Sequence, residues 1–395
     1  MRVVVCPDKF AGTLSAVEAA RALAEGWRAG APGDAVTPRP LADGGPGFLE
    51  VLQAATGGRR VPVRTVDPLG RPVDGWVLVA GEGGAGRPAP AGGPPAGEPA
   101  TGATAYVESA QACGLHLLDP SERDPKRTTS YGLGLLLAAA VETGARRIVV
   151  GLGGSATNDA GAGMLAALGA APLDAAGYAL PYGGAALLQV AGLGGAPQLR
   201  QAALVAATDV DNPLVGPHGA SAVFGPQKGA TADDVTLLDA ALARFAAVLE
   251  QQLPTCPDRL AELPGGGAAG GLGAALLALG GRAESGIGLV RRLTGLDTAL
   301  AEADLVITGE GSFDSQSLRG KVVAGVAAAA RDRGVPCLVV AGRVTVPPEE
   351  ARAAGISGAW SLVDHFDGDV TRAMSHPAEG LHAIAARLAG SWPGT

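Results

Sequence analysis

Cysteine, aromatic residues and charge are all scarce in this sequence. Its 395 residues include 4 cysteines, and no two of them are spaced as CxxC. A structural zinc site or a disulfide framework is therefore not expected. Aromatic residues account for 4% and charged residues for 17% of the chain, yet 47% of it is apolar. That apolar fraction can build a core and excludes a chain that is disordered throughout.

Basic charge is scarce as well. The formal net charge is −8, and only 4 of the 30 basic residues are lysines, namely Lys9, Lys126, Lys228 and Lys321. Proteins that bind nucleic acids normally carry a basic face, so a nucleic-acid partner is not expected. The excess of Ala, Gly, Pro and Arg is typical of GC-rich codon usage. In that background each lysine is unusual and is a candidate for a specific role.

Long apolar runs are missing too. The most apolar segment, residues 268–281, is short and interrupted by glycines, whereas a membrane-spanning helix needs about 18 apolar residues. The apolar run at the N-terminus is too short for the core of a signal peptide. We therefore expect a soluble, cytoplasmic protein with no membrane partner.

Strand and helix patterns alternate near both ends of the chain. A capping box formed by Ser15 and Glu18 predicts a helix over residues 16–28. Such alternation predicts a parallel sheet with helices on both faces. The predicted strands are residues 2–6, 34–41, 304–308 and 335–341.

The middle of the chain has a different pattern. Residues 59–79 alternate with a period of two around the turn sequence Asp-Pro-Leu-Gly, which predicts a β-hairpin. Residues 81–103 are low-complexity Gly, Pro and Ala, and are predicted to form a surface loop that adds nothing to a core. We predict a discontinuous α/β domain of residues 1–58 and 295–395, and an inserted mixed α/β domain of residues 59–294.

Four glycine-rich loops that contain acidic residues follow predicted strands. Ligands bind at the carboxyl ends of strands in open α/β sheets, so these loops are candidate parts of one site. They are residues 41–48 with Asp43, residues 151–163 with Asp159, residues 206–230 with Asp209 and Asp211, and residues 309–317 with Glu310 and Asp314.

The loop at 151–163 contains Gly153, Gly154 and Ser155. Successive glycine amides at a helix N-terminus form a nest for an anion such as phosphate. Ser155 and Thr157 would add hydroxyl groups, and Asp159 could hold a metal ion. A plain glycine-rich turn between a strand and a helix is an equally good interpretation of this loop taken alone.

Asp209 and Asp211 are predicted at the end of an apolar strand. Side chains two residues apart on a strand point the same way, so the two carboxylates would share one face. Such a pair can chelate Mg²⁺ or share a proton. A solvated turn is the alternative, because Asp-Asn-Pro is a common turn sequence.

Two further segments allow more than one interpretation. Lys321 lies at the predicted start of a helix, where it could contact phosphate oxygens or could extend along the helix surface into solvent. The glycine-rich segment 265–275 resembles a phosphate loop, but a close contact between helices is the favoured interpretation.

Several kinase and hydrolase signatures are absent. The chain has no GxxxxGK[ST] P-loop, no complete dinucleotide-binding fingerprint, no protein-kinase motif set and no GxSxG elbow. An acidic, glycine-rich site without a P-loop favours Mg²⁺-dependent phosphoryl transfer, in which positioning and charge neutralisation supply most of the catalysis.

These motifs are similar to those of the bacterial type I glycerate kinase family. The resemblance implies a flavodoxin-like parallel α/β domain built from both chain ends, an inserted restriction-endonuclease-like middle domain, and an active site in the cleft between them. It also implies a kinase that uses ATP and Mg²⁺ to phosphorylate D-glycerate, with 2-phosphoglycerate as the expected product. The matching stretches are residues 7–16, 41–48, 67–73, 114–118, 151–164, 209–230, 264–274 and 309–322.

Two loops depart from the family pattern. The family commonly has PDSFKG where this chain has PDKFAG, so that Lys9 stands in place of serine and Ala11 in place of lysine. The common ADGGEGT is ADGGPGF here, so that Pro46 and Phe48 replace a carboxylate and a hydroxyl. These changes bear on the roles of residues in the first loop and leave the resemblance in place.

The residues and the resemblance together predict specific roles. We predict Asp209 as the base that accepts the hydroxyl proton of glycerate, Asp43 as the second candidate base, and Lys321 as the group that neutralises charge on the transferred phosphoryl group. The predicted nucleotide contacts are Gly153, Gly154, Ser155, Thr157, Asn158, Glu310 and Gly311. The predicted substrate contacts are Lys9, Asp8, Asp211 and Asn212. The predicted metal ligands are Asp211, Asp159 and Glu310, with Asp209 and Asp43 as alternatives.

Two other classes of function stay open on the sequence alone. One is a related phosphotransferase that acts on another small hydroxy acid or sugar acid. The other is a nucleotide- or metabolite-binding protein whose altered first loop has impaired catalysis. The expected partners are the small molecules glycerate and ATP, and a homodimer is one of the open oligomeric states.

Overall fold

The computed structural model describes residues 1–10, 12–81, 102–318 and 322–392. Its strands are β1 Arg2–Val5, β2 Ala35–Pro38, β3 Arg59–Val66, β4 Pro72–Ala80, β5 Thr104–Glu108, β6 Arg147–Gly151, β7 Ala170–Leu173, β8 Gly192–Gly195, β9 Ala203–Ala207, β10 Arg282–Glu284, β11 Leu305–Thr308, β12 Ser312–Phe313, β13 Cys337–Ala341, β14 Arg343–Val344 and β15 Gly358–Ser361.

Helices connect most of these strands. They are α1 Ala16–Gly30, α2 Phe48–Thr56, α3 Ala110–Cys113, α4 Tyr131–Glu142, α5 Ala162–Ala167, α6 Ala220–Phe224, α7 Ala232–Gln252, α8 Ala268–Ala278, α9 Gly286–Thr294, α10 Leu296–Ala301, α11 Val322–Arg331, α12 Pro348–Ala353, α13 Leu362–His365, α14 Val370–Ser375 and α15 Pro377–Ser391. Short 3-10 helices lie at Leu115–Leu117, Pro120–Glu122, Gly184–Gln189, Pro226–Lys228 and Leu260–Glu262.

The first sheet is parallel and combines strands from both ends of the chain. Its order is β15-β13-β11-β1-β2, with Val3 of the central strand β1 opposite Leu305 on one side and Val36 on the other. Strands β1 and β2 come from the N-terminal end of the chain, and β11, β13 and β15 come from the C-terminal end. If these five strands are numbered in chain order, their order in the sheet from the β2 edge is 2-1-3-4-5, which is typical of flavodoxin-like sheets. The predicted α/β fold with parallel strands is confirmed.

The second sheet is mixed, with the order β10-β9-β6-β5-β4-β3. Strands β5, β6, β9 and β10 are parallel, and β4 is antiparallel to both β3 and β5. The hairpin predicted over residues 59–79 is confirmed as β3 and β4, and Asp67 closes its turn by accepting the N–H groups of Leu69 and Arg71. Most of the loop predicted at 81–103 lies outside the described residues.

A shared apolar core joins the two sheets. One buried cluster contains Val4 of the first sheet, Leu52 of α2, and Tyr106 and Val149 of the second sheet. Helices α2, α9 and α11 line this core; α11 packs on β11 and β13 of the first sheet, and α2 contacts β4 and β5 of the second. The division into two domains with limits at residues 58 and 295 stays a prediction.

Helices α1 and α15 cover the other face of the first sheet. The predicted capping box starts α1, because Ser15 Oγ accepts the Glu18 N–H at 3.2 Å and Glu18 Oε2 accepts the Ser15 N–H at 2.9 Å. Trp27 and Leu23 of α1 and Leu381 and Ile384 of α15 are buried together. None of the helices within the described ranges combines the length and the apolar character that a membrane span requires.

Gly26 lets α1 approach α15 closely, and its replacement should destabilise the fold. A Cβ atom at Gly26 would lie 2.2 Å from the His382 carbonyl oxygen. We expect Gly26→Ala to lower the free energy of unfolding by about 1–3 kcal/mol, because a backbone carbonyl cannot move aside without separating the helices. Urea denaturation followed by circular dichroism measures this change.

Gly390→Ala is the matched control. Gly390 also lies in a helix, α15, but a Cβ atom there would meet nothing within 4 Å. Its free energy of unfolding should stay the same or rise by up to about 1 kcal/mol, since alanine favours helix more than glycine does. Equal destabilisation by the two substitutions would contradict the close approach of α1 and α15.

Candidate functional site

Two glycine-containing loops bring the carboxyl ends of the two sheets together. The loop of residues 43–45 follows β2, and the loop of residues 151–154 closes β6; we call their contact the loop junction. A Cβ atom at Gly153 would lie 2.7 Å from Gly45 Cα, and one at Gly151 would lie 2.6 Å from the Gly44 carbonyl oxygen. The two backbones therefore touch directly, and only glycine fits at these positions.

Lys9 lies among carboxylates at the end of the first sheet. It follows β1, and its Nζ is 3.8 Å from Asp8 Oδ1 and 4.0 Å from Asp43 Oδ1. The Asp8 N–H donates to the Gly309 carbonyl oxygen, which ties this loop to the residue before Glu310. The structure therefore brings together four of the predicted residues, Asp8, Lys9, Asp43 and Glu310, which we call the acidic cluster.

Burial and mutual charge shift the pKa values within the acidic cluster. Burial raises the pKa of Asp8 to about 7; the charges of Asp43 and Glu310 act in the same direction, and Lys9 acts against them. Burial alone would lower the pKa of Lys9, but the carboxylates of Asp8, Asp43, Glu108 and Glu310 outweigh it and raise that pKa. Lys9 is thus a firmly charged cation whose neighbours already offset much of its charge.

Asp209 approaches the acidic cluster from the second sheet. Its Oδ1 accepts the Ser285 hydroxyl at 2.7 Å, and its Oδ2 accepts the Ile287 N–H at 2.9 Å at the start of α9. Gly286 separates Asp209 from Asp43, because a Cβ there would lie 3.1 Å from Asp209 Oδ2 and 2.5 Å from the Asp43 carbonyl oxygen. Burial is the main cause that raises the pKa of Asp209, and these hydrogen bonds oppose it.

The strand argument for Asp209 and Asp211 was wrong. Strand β9 ends at Ala207, so both aspartates lie in the loop beyond it and do not share a strand face. Asp211 is exposed, and Asn212 donates its side-chain N–H to the His218 carbonyl oxygen at 2.8 Å. Among the described residues, no hydrogen bond or ion pair joins Asp211 or Asn212 to the acidic cluster.

The loop after β6 divides into an accessible part and a buried part. Gly153 and Gly154 are solvent-accessible, and Gly154 has a left-handed backbone with φ +64°. Ser155 is 5% exposed, whereas Thr157, Asn158 and Asp159 are fully buried. The predicted nucleotide contacts of Thr157 and Asn158 therefore have no support in the structure as it stands.

Asp159 has a structural environment. Its carboxylate accepts the Ser130 hydroxyl and N–H at 2.8 Å and the N–H groups of Gly161 and Gly163 at 3.2 Å. Burial raises the pKa of Asp159, and these hydrogen bonds act against that effect. The metal-ligand role predicted for Asp159 has no support in this geometry, because its oxygens already hold the loop together.

The segment 265–275 supports that loop from behind. The Ala160 N–H donates to the Gly270 carbonyl oxygen at 3.0 Å, and a Cβ at Gly270 would lie 1.9 Å from the Thr157 carbonyl oxygen. The segment does make a close packing contact, but the predicted contact between helices was wrong in its partner, because Gly270 of α8 packs on the loop after β6.

The sequence interpretation missed two buried ionisable residues. Lys228 is 2% exposed, and its Nζ donates to Ser155 Oγ at 2.9 Å and to the Thr157 carbonyl oxygen at 2.7 Å. Burial lowers the pKa of Lys228 to about 7. The scarcity of lysine was the one sequence signal that pointed to it.

Glu108 is the other missed residue. It ends β5, and its Oε2 accepts the Leu49 N–H at 3.2 Å at the start of α2, where the Gly47 N–H also donates to it. Burial raises the pKa of Glu108 to about 7, although both hydrogen bonds and Lys9 act in the opposite direction. A carboxylate of the second sheet thus caps the helix that follows the Asp43 loop.

Among the residues that the structure describes, no three His, Cys, Asp or Glu side chains are grouped closely enough to form a metal site. Glu310 is 7% exposed, and Gly311 beside it accepts the Arg343 N–H through its carbonyl oxygen. Lys321 and Ala11 lie outside the described residues.

The chain is similar to known proteins over almost its whole length. A sequence profile of the glycerate kinase family matches residues 3–393. The chain is 40% identical to a glycerate kinase of Bacillus subtilis (99% of this chain and 97% of that protein) and 40% identical to a glycerate 2-kinase of Escherichia coli (98% of each). A crystal structure of a putative glycerate kinase 2 from Salmonella typhimurium matches with a TM-score of 0.77 at 38% identity, over 99% of this chain and 98% of that one.

Replacing Glu108 with glutamine should change how stability depends on pH. The pKa of Glu108 is about 7 in the folded chain against an ordinary 4.5, so the folded state binds this proton more tightly than the unfolded state does. The wild-type free energy of unfolding therefore falls relative to that of Glu108→Gln as pH rises from about 4.5 to about 7. The expected slope of the difference is about 1.4 kcal/mol per pH unit, with no further change above that window.

Chemical denaturation at half-unit pH steps measures this difference. Asp8 titrates in the same range but is present in both proteins, so its effect cancels. Glu25→Gln, an exposed glutamate of α1, is the matched control and should show a small difference without this slope. A stability difference for Glu108→Gln that stays constant from pH 4.5 to 7 would refute the shifted pKa.

Proposed function

The chain belongs to the glycerate kinase family, and on that premise we propose that it transfers the γ-phosphoryl group of ATP, with Mg²⁺, to D-glycerate and forms 2-phosphoglycerate. The observation that carries this proposal is the loop junction. It sets an accessible glycine loop of the second sheet directly against the acidic cluster of the first. Phosphoryl transfer needs both an anion-binding backbone and carboxylates for metal and proton at one place.

The phosphate groups are proposed to bind on Gly153, Gly154 and Ser155. The two glycines are the accessible part of the loop and carry no side chain that would block an approaching oxygen. Backbone N–H groups in such a loop favour an anion. Thr157 and Asn158 would support this loop from below and would not touch the nucleotide, since both are fully buried.

Magnesium fits the donors at the acidic cluster. Mg²⁺ commonly takes one or two carboxylates together with substrate phosphates and waters, so a preformed cage of three acidic side chains is not required. Asp43 and Glu310 are the proposed ligands, with Asp211 as an exposed third candidate. Bound there, the ion would neutralise charge on the phosphate oxygens.

Asp209 is the proposed base for the glycerate hydroxyl. Ser285 and the start of α9 hold its carboxylate in one orientation, which a proton acceptor needs. Its raised pKa brings the carboxylate closer to the pH at which proton transfer is efficient. Asp43, across Gly286, is the alternative base.

The carboxylate of glycerate is proposed to bind to Lys9, and Asp8 and Asn212 are proposed as further substrate contacts. The ammonium group of Lys9 is the cation within the acidic cluster, and 26% of its side chain is exposed. Because four carboxylates already offset its charge, a second cation would strengthen binding there. Lys321 is proposed for the transferred phosphoryl group.

A coupled assay tests the proposed reaction. Purified protein, D-glycerate, ATP and Mg²⁺ should give 2-phosphoglycerate, identified by phosphorus NMR. A signal of 3-phosphoglycerate would keep the reaction class and refute the proposed acceptor hydroxyl. Failure with D-glycerate combined with turnover of another hydroxy acid would show that Ala11 and Pro46 mark a different substrate.

Asp209→Asn should abolish most of the activity. Loss of a general base lowers kcat by about 100-fold or more, while the Kd for Mg·ATP should change little. Asp233→Asn, at an exposed aspartate in the first turn of α7, is the matched control and should keep wild-type turnover. Near wild-type kcat in Asp209→Asn would reject this base, and a collapse in Asp43→Asn would then support the alternative.

A further inference from the structure

Lys228 is a buried cation that the proposed reaction does not use directly. It ends the 3-10 helix Pro226–Lys228 and is 2% exposed, so it cannot contact a ligand in the cleft. Its Nζ is 2.9 Å from Ser155 Oγ and 2.7 Å from the Thr157 carbonyl oxygen. Burying a lysine ammonium group costs free energy, so we expect a buried lysine to have a specific role.

The hydrogen bonds that the Ser155 hydroxyl can make indicate that role. A serine hydroxyl has one proton to donate and can accept through its oxygen, whereas a lysine ammonium group only donates. Because Lys228 donates to Ser155 Oγ, the hydroxyl proton of Ser155 must point away from Lys228. A cation on the accepting side also polarises the hydroxyl and strengthens the hydrogen bond that it donates.

Ser155 lies where its hydroxyl proton could be donated to a bound anion. Ser155 directly follows the accessible residues Gly153 and Gly154, and a Cβ at Gly154 would lie 3.0 Å from Pro46 of the opposite loop. The Gly154 carbonyl oxygen is already occupied, because it accepts the Leu115 N–H at 2.8 Å. The N–H groups of Gly153, Gly154 and Ser155 and the Ser155 hydroxyl are donors, and donors suit an anion.

We propose that Lys228 is a positioning residue that orients the Ser155 hydroxyl to donate its proton to a phosphate group of the nucleotide bound at Gly153, Gly154 and Ser155. The inference rests on the proposed function for its ligand, a nucleoside triphosphate. It adds a residue that acts through another side chain and never touches the substrate.

The environment of Lys228 makes its charge sensitive to that ligand. Burial lowers the pKa of Lys228 to about 7, and the titratable groups whose charge acts on it are Asp159 and Cys113, both of which raise it. A phosphate group at Ser155 adds negative charge and raises the pKa of Lys228 further. The bound state then holds this proton more tightly than the free state, so affinity for the nucleotide falls as pH rises above about 7.

Calorimetric titration of the full chain with Mg·ATP, without glycerate, tests the proposal. Lys228→Met keeps the length of the side chain and removes the donor, and it should weaken binding about tenfold or more, the value of a hydrogen bond to a charged group. Lys126→Met is the matched control, because Lys126 pairs with Asp234 away from the loop junction; its Kd should equal that of the wild type. In steady state Lys228→Met should raise KM for ATP and leave KM for glycerate within about twofold.

The pH profile separates this role from mere support of the fold. In saturating Mg²⁺, the wild-type affinity should fall between pH 7 and 9 more steeply than that of Lys228→Met. The double variant Ser155→Ala with Lys228→Met should bind no more weakly than Ser155→Ala alone, since both changes remove the same hydrogen bond. Independent, multiplicative losses would overturn the proposal.

Ser155→Ala keeps the proposal testable if Lys228→Met does not fold. It should weaken Mg·ATP binding and flatten the pH profile, and wild-type affinity in this variant overturns the proposal. Wild-type affinity in a folded Lys228→Met overturns it as well and leaves the proposed function standing. A wild-type chain that does not bind Mg·ATP at all overturns both.

Discussion

Direct backbone contact at the loop junction is the constraint on which the rest of the site depends. Gly44 and Gly45 touch Gly151 and Gly153 with no side chain between them. A single added methyl group would push the carboxyl end of the first sheet away from that of the second. This contact sets how far Asp43 lies from the proposed phosphate loop, since Asp43 and Gly154 are each next to the touching glycines.

The junction also forces acidic groups close together in a partly buried space. The chain tolerates this because Lys9 lies among the carboxylates, and because backbone N–H groups at the starts of α2 and α9 stabilise Glu108 and Asp209. Two carboxyls, Asp8 and Glu108, still have pKa values of about 7. Perturbed groups of this kind concentrate at functional sites, which agrees with the family assignment.

The glycine-rich loop after β6 illustrates how one motif can serve two purposes. Its first part, Gly153 and Gly154, is open to solvent, whereas Asp159 accepts four hydrogen bonds that shape the turn. Lys228 and Gly270 support the loop from beneath. The polar residues that look most like ligands in the sequence therefore build the loop, and its least distinctive residues form the surface proposed to meet the nucleotide.

The order of motifs along the chain was sufficient to predict the family, the parallel α/β fold, the hairpin and the capping box of α1. Each of these depends on local patterns or on long matching stretches, which a sequence displays directly. The gathering of Asp8, Lys9, Asp43 and Glu310 was also foreseeable, because strand ends in a parallel sheet share one edge. The separate argument that Asp209 and Asp211 share one face of a strand failed, because β9 ends two residues before Asp209.

Burial was decided by the tertiary structure alone. Asp159 and Asp43 look alike in the sequence, each an acid in a glycine-rich loop, yet Asp159 is fully buried whereas 40% of the Asp43 side chain is exposed. Lys228 lies 73 residues from its partner Ser155, and Glu108 lies 59 residues from the helix that it caps. Whether a charged group faces solvent, a ligand or another part of the chain depends on which distant segments pack over it, and no local pattern records that.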